Sequence, residues 1–136
     1  MKRMDKKIYS EHWEKETEQL EKQGCYQRLS EITPQGNTLE VGCGIGLTSR
    51  YSSSTRNVVS IENNEFLIEK SAGILQGLDN PPKILHADIF DLGSSLESQI
   101  NNFAPKVLVG WFIGSHADDI DLRTPTSLPI NEKPKK

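Results

Sequence analysis

A chain of 136 residues and 15.3 kDa is the length of one domain, and about two-thirds of its unfolded surface can be buried, enough for an unaided core. With 35% apolar and 26% charged residues the composition is that of a globular protein, and a net charge of −3 with a pI near 5.6 leaves no basic field for a dedicated nucleic-acid binder. The mean hydropathy of −0.55 and a longest apolar run of only Val107 to Ile113 exclude a membrane-spanning helix, which needs about 20 apolar residues.

Residues 1–9 read as a flexible basic N-terminus. No apolar stretch follows them, so they are not a secretory signal. From Ser10 to about Ile32 the pattern is helical, with Ser10 as cap and Trp13, Leu20, Cys25 or Tyr26, Leu29 and Ile32 on one stripe. Gly24 divides this stretch, and Thr33-Pro34-Gln35-Gly36-Asn37 is a turn. Strand and helix then alternate. Thr38 to Gly42 is a strand, Ile45 to about Ser54 a helix, and Asn57 to Glu62 a β-branched second strand. Asn63 to Leu78 is a helix with Leu67, Ser71, Leu75 and Leu78 on one face and Asn63 or Asn64 as cap, stopped by Asp79-Asn80-Pro81-Pro82. Lys83 to Asp88 is a third strand, Ser94 to Phe103 an amphipathic helix, and Lys106 to Ile113 a fourth strand. Val107 to Ile113, apolar except for Gly110, reads as buried on both faces. Residues 10–122 form the domain, and 123–136, proline-rich without periodicity, read as a disordered tail. The alternation predicts βαβ units and therefore an α/β fold with a parallel sheet.

The segment Leu39-Glu40-Val41-Gly42-Cys43-Gly44-Ile45-Gly46 runs a strand into a glycine loop and then a helix. Glycine supplies left-handed backbone and lets a ligand approach the main chain where no Cβ stands. Amides at the following helix start offer hydrogen bonds to a polar ligand. A dinucleotide fingerprint needs its third glycine at position 47, where Leu47 stands. Glu40 would repel a pyrophosphate but suits a ligand with positive charge, such as the sulfonium and ammonium groups of S-adenosylmethionine.

This stretch resembles the first motif of class I S-adenosylmethionine-dependent methyltransferases, an acidic residue followed by a Gly-x-Gly-x-Gly loop. The resemblance implies a three-layer Rossmann-like sheet of strand order 3-2-1-4, here without the family's usual C-terminal strands. It implies that Gly42, Gly44 and Gly46, with Cys43 between them, line the methionine half of the cofactor. Glu40 would orient the ammonium group. Glu62 ends the second strand beside the first, where a carboxylate can accept from vicinal ribose hydroxyls, and it matches the family's second motif. Asn63 adjoins it. Asp88 ends the third strand where the family's third motif accepts from the adenine amino group, and Ile89 would pack on the ring.

The acceptor side is poorer in signals. The Asn/Asp-Pro-Pro-aromatic form of many amino-group methyltransferases is absent after the fourth strand. His116 stands there as a weak candidate base, although a lone histidine past a strand is more often a solvated loop residue. Asp118-Asp119-Ile120-Asp121 lacks the mixed spacing of a metal site. Trp13 sits where such enzymes often cover the cofactor, or it is simply core. The implied activity is methyl transfer from S-adenosylmethionine to an unidentified acceptor. The rivals are a truncated non-catalytic cofactor-binding domain that needs a partner chain, and an NAD(P)-dependent oxidoreductase, which Leu47 and Glu40 disfavour. With strands ending at the fourth, that apolar edge invites a homodimer or a partner chain. Two cysteines, Cys25 and Cys43, are too few for a disulfide framework and fit the reducing cytoplasm.

Overall fold

The computed structural model describes residues 5–111. The elements run α1 (Lys6–Lys22), α2 (Cys25–Ile32), β1 (Thr38–Val41), α3 (Leu47–Ser52), β2 (Val58–Glu62), α4 (Glu65–Leu75), β3 (Lys83–His86), α5 (Gly93–Phe103) and β4 (Val107–Val109). The strands form one four-stranded sheet in the order β3-β2-β1-β4, parallel throughout. This is the Rossmann-like arrangement expected from the sequence.

Alternation along the strands sends Leu39, Val59, Ile61 and Leu85 to one face, where Leu96, Ile100 and Phe103 of α5 pack on them. The opposite face meets α1 to α4, whose Trp13, Leu20, Tyr26, Leu47 and Leu67 form a second apolar cluster. Three layers result. The second interface is unusually rich in hydroxyls: Ser10, Thr17, Thr38, Ser49, Ser60 and Ser71 are all buried. Their small volume permits close helix–sheet approach, and they bond internally, Thr17 Oγ1 donating to the Trp13 carbonyl at 2.6 Å and Ser71 Oγ to Ile68 at 2.7 Å.

Helix α1 starts earlier than its sequence suggested. Asp5, not Ser10, is the cap and accepts from the Ile8 amide at 2.8 Å, so Lys6 to Tyr9 form the first turn rather than a flexible leader. Ser10 lies inside the helix, its hydroxyl donating to the Lys6 carbonyl at 2.8 Å and to Asn64 Oδ1 at 3.1 Å. The charged Lys6-Lys7 pair hid this first turn, because apolar periodicity emerges only from Tyr9 onward. Gly24, at φ 74°, separates α1 from α2 as expected. Ile32, placed on the apolar stripe by its spacing, is 55% exposed because it is the last residue of α2.

Asn64 caps α4, its side-chain oxygen accepting from the amides of Phe66 and Leu67. The guanidinium of buried Arg56 donates to the carbonyls of Ser30, Thr33 and Pro34 and to Thr55 Oγ1, fixing the connection between α2 and β1. The two-faced burial expected of the fourth strand does not hold. Val107 and Val109 are half-buried, but Leu108 is 70% exposed. It shares the face of its register partner Leu39, yet β4 is the edge of the described sheet and α5 does not extend across it. Residues 112 and 113 of that expected strand, like the proposed tail, lie outside the described residues.

Candidate functional site

Parallel strands deliver their carboxyl ends to one rim, and a chain that reverses its strand order there opens a crevice. Here β1, β2, β3 and β4 end on a single cleft, lined by Glu40 and Val41, by Ile61 and Glu62, by Ala87 to Phe90, and by Trp111. The glycine loop contributes Gly42, Cys43 and Gly44, and α1 supplies Lys6, Tyr9 and Trp13 as the facing wall.

Three glycines of the loop adopt left-handed backbone, with φ of 79° at Gly42, 57° at Gly44 and 92° at Gly46. Their surroundings divide them. A Cβ on Gly42 would meet nothing within 4 Å, so this residue borders open cleft. A Cβ on Gly44 would stand 2.9 Å from Trp13 Nε1, so the indole of α1 uses that bare Cα to sit against the loop. Gly46 is not in the cleft wall. A Cβ there would meet Ser71 Cβ at 3.2 Å and Leu75 Cγ at 3.3 Å, and the residue packs the loop against α4.

Glu40 is 3% exposed, and its Oε1 accepts from both Ser49 Oγ and Ser60 Oγ, the latter at 2.7 Å. Ser60 is its register partner on β2 and Ser49 projects from α3, so strand pairing and helix docking together aim both donors at it. Burial pushes its pKa above the ordinary carboxylate value, the two hydroxyls pull it back, and the charge of Glu62 raises it further. Among the described residues no cation pairs with Glu40.

Glu62 is 7% exposed; Oε1 accepts from the Gly44 amide and Oε2 from the Asn64 amide, each at 3.1 Å. It therefore ties the end of β2 to the glycine loop. Burial raises its pKa, opposed by the amides of Asn64, Gly44 and Asn63 and by His86. A carboxylate has about four acceptor positions, so these amides leave capacity for a ligand hydroxyl. Tyr9 reaches the same corner, its hydroxyl pKa raised by burial and then by Glu62.

Asp88 lies past the end of β3, half-buried, with Oδ1 accepting from the Phe90 amide at 2.9 Å. Ile89 packs into the α5-side cluster while lining the cleft, and Phe90 stands 73% exposed at its mouth. Cys43 is buried, and burial followed by the charges of Glu62 and Glu40 drives its thiol pKa far up, so it is inert. Among the described residues, the cleft thus holds Glu40, Glu62 and Asp88 against one cation, Lys6.

Of the residues singled out from sequence, Glu40, Gly42, Cys43, Gly44, Glu62, Asn63, Asp88 and Ile89 meet at this cleft, whereas Gly46 stands behind it. His116 and the Asp118 to Asp121 run lie outside the described residues. Sequence reasoning missed Lys6, Tyr9, Phe90 and Trp111. One signal was available for Tyr9: Tyr9, Trp13 and Thr17 recur every four residues and share one helix face. Among the described residues no helix is long and apolar enough to cross a membrane, and no cluster of His, Cys, Asp or Glu is suited to a metal ion.

No protein-family model matches the chain, and no curated protein is similar to it at the sequence level. Solved structures do resemble it in part. Magnesium protoporphyrin IX methyltransferase from Synechocystis PCC 6803, with bound S-adenosylmethionine, is 17% identical with a TM-score of 0.42, over 57% of this chain and 39% of that one. Protein arginine methyltransferase 10 of Arabidopsis thaliana is 15% identical with a TM-score of 0.44, over 62% of this chain and 23% of that one. Phosphoethanolamine N-methyltransferase 1 of Haemonchus contortus, in complex with phosphoethanolamine and S-adenosylhomocysteine, is 14% identical with a TM-score of 0.44, over 67% and 24%. The chain spans about a quarter to two-fifths of the length of these structures.

Proposed function

We propose that the cleft binds S-adenosylmethionine and that the chain carries the methyl-donor half of a methyltransferase. The observation that supports this reading best is the pairing of two buried carboxylates, Glu40 and Glu62, on adjacent strands beside a left-handed glycine loop. Such a site selects a ligand that combines positive charge with hydroxyls and repels a pyrophosphate. The residues present fit: Glu40 for the ammonium group, Glu62 and Asn63 for the ribose end, Asp88 and Ile89 for the adenine, and the Gly42 to Gly44 backbone along the methionine. Bound there, the donor supplies a methyl group on an electron-poor sulfur, open to displacement by an acceptor lone pair. The protein's part is positioning: the sheet fixes the carboxylates, the loop admits close approach, and α1 excludes water from one side. Gly46 serves this reading indirectly, by setting the loop on α4.

The exposed Leu108 and the apolar β4 edge favour a homodimer or a partner chain covering that strand, and light scattering tests this by reading a mass above one chain. The free thiols of Cys25 and Cys43 suit the cytoplasm.

Ligand-dependent thermal melting tests the central claim. S-Adenosylmethionine or S-adenosylhomocysteine at 100 times its Kd adds about 2.7 kcal/mol to the folded state, roughly 8–12 °C in Tm for a domain of this size. NAD should add nothing, and Glu62→Ala should abolish the shift. No shift at millimolar ligand refutes the cofactor assignment. Transfer of a labelled methyl group to a pool of candidate acceptors then reads catalysis itself.

A further inference from the structure

Glu40 is the more enclosed of the two buried acids in the cleft, and its hydrogen bonds are lopsided. Ser49 Oγ and Ser60 Oγ both donate to Oε1, while Oε2 has no donor among the described residues. The elements packed around it supply no compensating charge. Its register partners are Ser60 on β2 and Val109 on β4, and Glu62 at the end of β2 adds a second negative charge. On α3, Ser49 is followed by Arg50, whose guanidinium is taken by Glu21 at 2.6 Å. The Cys43 thiol and the hydroxyls of Tyr9 and Tyr26 are kept protonated by burial. Lys6 Nζ lies 3.5 Å from the Asn63 carbonyl, beside Glu62. His86 is the register partner of Glu62 and acts on that carboxylate, and Asp88 brings a further acid to the cleft.

Two carboxylates buried in one cleft cannot both ionise without a large cost. Glu62 receives a backbone amide on each oxygen, a pattern that favours its charged form. Glu40 receives two hydroxyls on one oxygen, a pattern that also fits a neutral acid, with Oε1 as the carbonyl and Oε2 as the hydroxyl. We propose that the empty cleft keeps a proton on Glu40 and exchanges it for the positive charge of its ligand. This rests on the methyl-donor reading and deepens it. As the ligand's ammonium group binds, the carboxyl O–H bond breaks, the proton leaves to solvent, and the carboxylate pairs with the ammonium. One positive charge replaces another, so Glu40 and Glu62 are never both uncompensated. Ser49 and Ser60 are positioning residues, holding Oε1 and leaving the other oxygen for the exchange. The ligand binds the ionised form, so its affinity constant should fall about tenfold for each pH unit below the midpoint at which empty Glu40 takes up its proton.

Calorimetric titration of the full chain with S-adenosylhomocysteine, in pairs of buffers that differ in ionisation heat, counts the protons exchanged. In a pH series rising from 4.5, the ordinary value for Glu40, about one proton should leave per ligand at the acid end, with a midpoint above 4.5. Glu40→Gln should lose this release, which excludes Glu62 as its source, and its profile subtracts the ligand's own amine, which titrates at about 8. Ser60→Ala alters no residue assigned to the ligand. It removes a hydroxyl that favours the ionised form and should move the midpoint to higher pH, whereas a merely structural loss would weaken binding equally at every pH. 5′-Methylthioadenosine, which keeps the ribose and adenine but has no ammonium group, should bind without release. Binding of S-adenosylhomocysteine with no release, release that persists in Glu40→Gln or accompanies the neutral ligand, or a midpoint unmoved by Ser60→Ala overturns the inference while the donor reading stands. If the unaltered protein binds neither ligand, the donor reading and the inference fall together.

Discussion

Alanine substitution at two glycines of the same loop should separate stability from ligand binding. Gly42 and Gly46 both hold left-handed backbone, at φ 79° and 92°, which costs a residue with a Cβ about 1–2 kcal/mol. Their surroundings then decide the outcome. Nothing lies within 4 Å of a Cβ on Gly42, so Gly42→Ala should cost only that backbone strain. At Gly46 the new methyl would press on Ser71 Cβ at 3.2 Å and on Leu75 Cγ and Cδ1 at 3.3 and 3.4 Å. Ser71 and Leu75 are themselves buried on α4, so neither can swing aside, and overpacking adds about 1–3 kcal/mol. Gly46→Ala should therefore lose roughly 2–5 kcal/mol in all. Urea unfolding followed by circular dichroism measures both variants, and an unchanged slope would confirm that only stability moved. Ligand titration should show the reverse order. The Gly42 methyl projects into the space assigned to the donor, so Gly42→Ala should lose most of the ligand-induced stabilisation, whereas Gly46→Ala at low temperature should retain it. Equal unfolding costs, or a greater cost at Gly42, would refute the division of the loop into a ligand-facing and a packing-facing glycine.

Two further outcomes follow from the buried charges. The pKa of Glu40 is raised in the folded state above its ordinary 4.5, so the native protein holds the proton more tightly, and Glu40 contributes stability below that value that is lost as pH rises through the folded-state pKa. Glu40→Gln should therefore become more stabilising, relative to the unaltered protein, as pH rises above 4.5 toward the raised folded-state pKa. The gain is about 1.4 kcal/mol for each pH unit in which Glu40 is protonated folded but ionised unfolded; a difference in urea midpoints that does not vary with pH contradicts this, and the same variant should weaken S-adenosylmethionine binding. Arg56→Lys should cost about 2–3 kcal/mol in chemical denaturation, because an ammonium cannot reach the carbonyls of Ser30, Thr33 and Pro34 together; a loss below about 0.5 kcal/mol would show that the guanidinium fork is dispensable.

The order of elements was legible because strand and helix periodicities differ and because prolines and glycines mark their ends. Parallel pairing followed from the βαβ connections, and Glu40, Glu62 and Asp88 could be placed on one rim because strands in such a sheet all end on the same side. Local cues failed where a residue serves two elements. Ser10 is a good cap by type but works as a buried bridge to Asn64, which only the docking of α1 on α4 reveals. Gly46 looked like its two neighbours in the loop, yet Ser71 and Leu75, far along the chain, make it a packing residue. The fourth strand looked two-sided from its apolar run, and Leu108 proved exposed because burial depends on what lies across the sheet. Composition, periodicity and turn chemistry are properties of neighbours in sequence, and they determined an α/β chain with a glycine loop and strand-end acids. Which of those groups touch, and that Trp13 sits against Gly44 while Tyr9 lines the same cleft, was decided by contacts between residues distant in the chain, which no local pattern encodes.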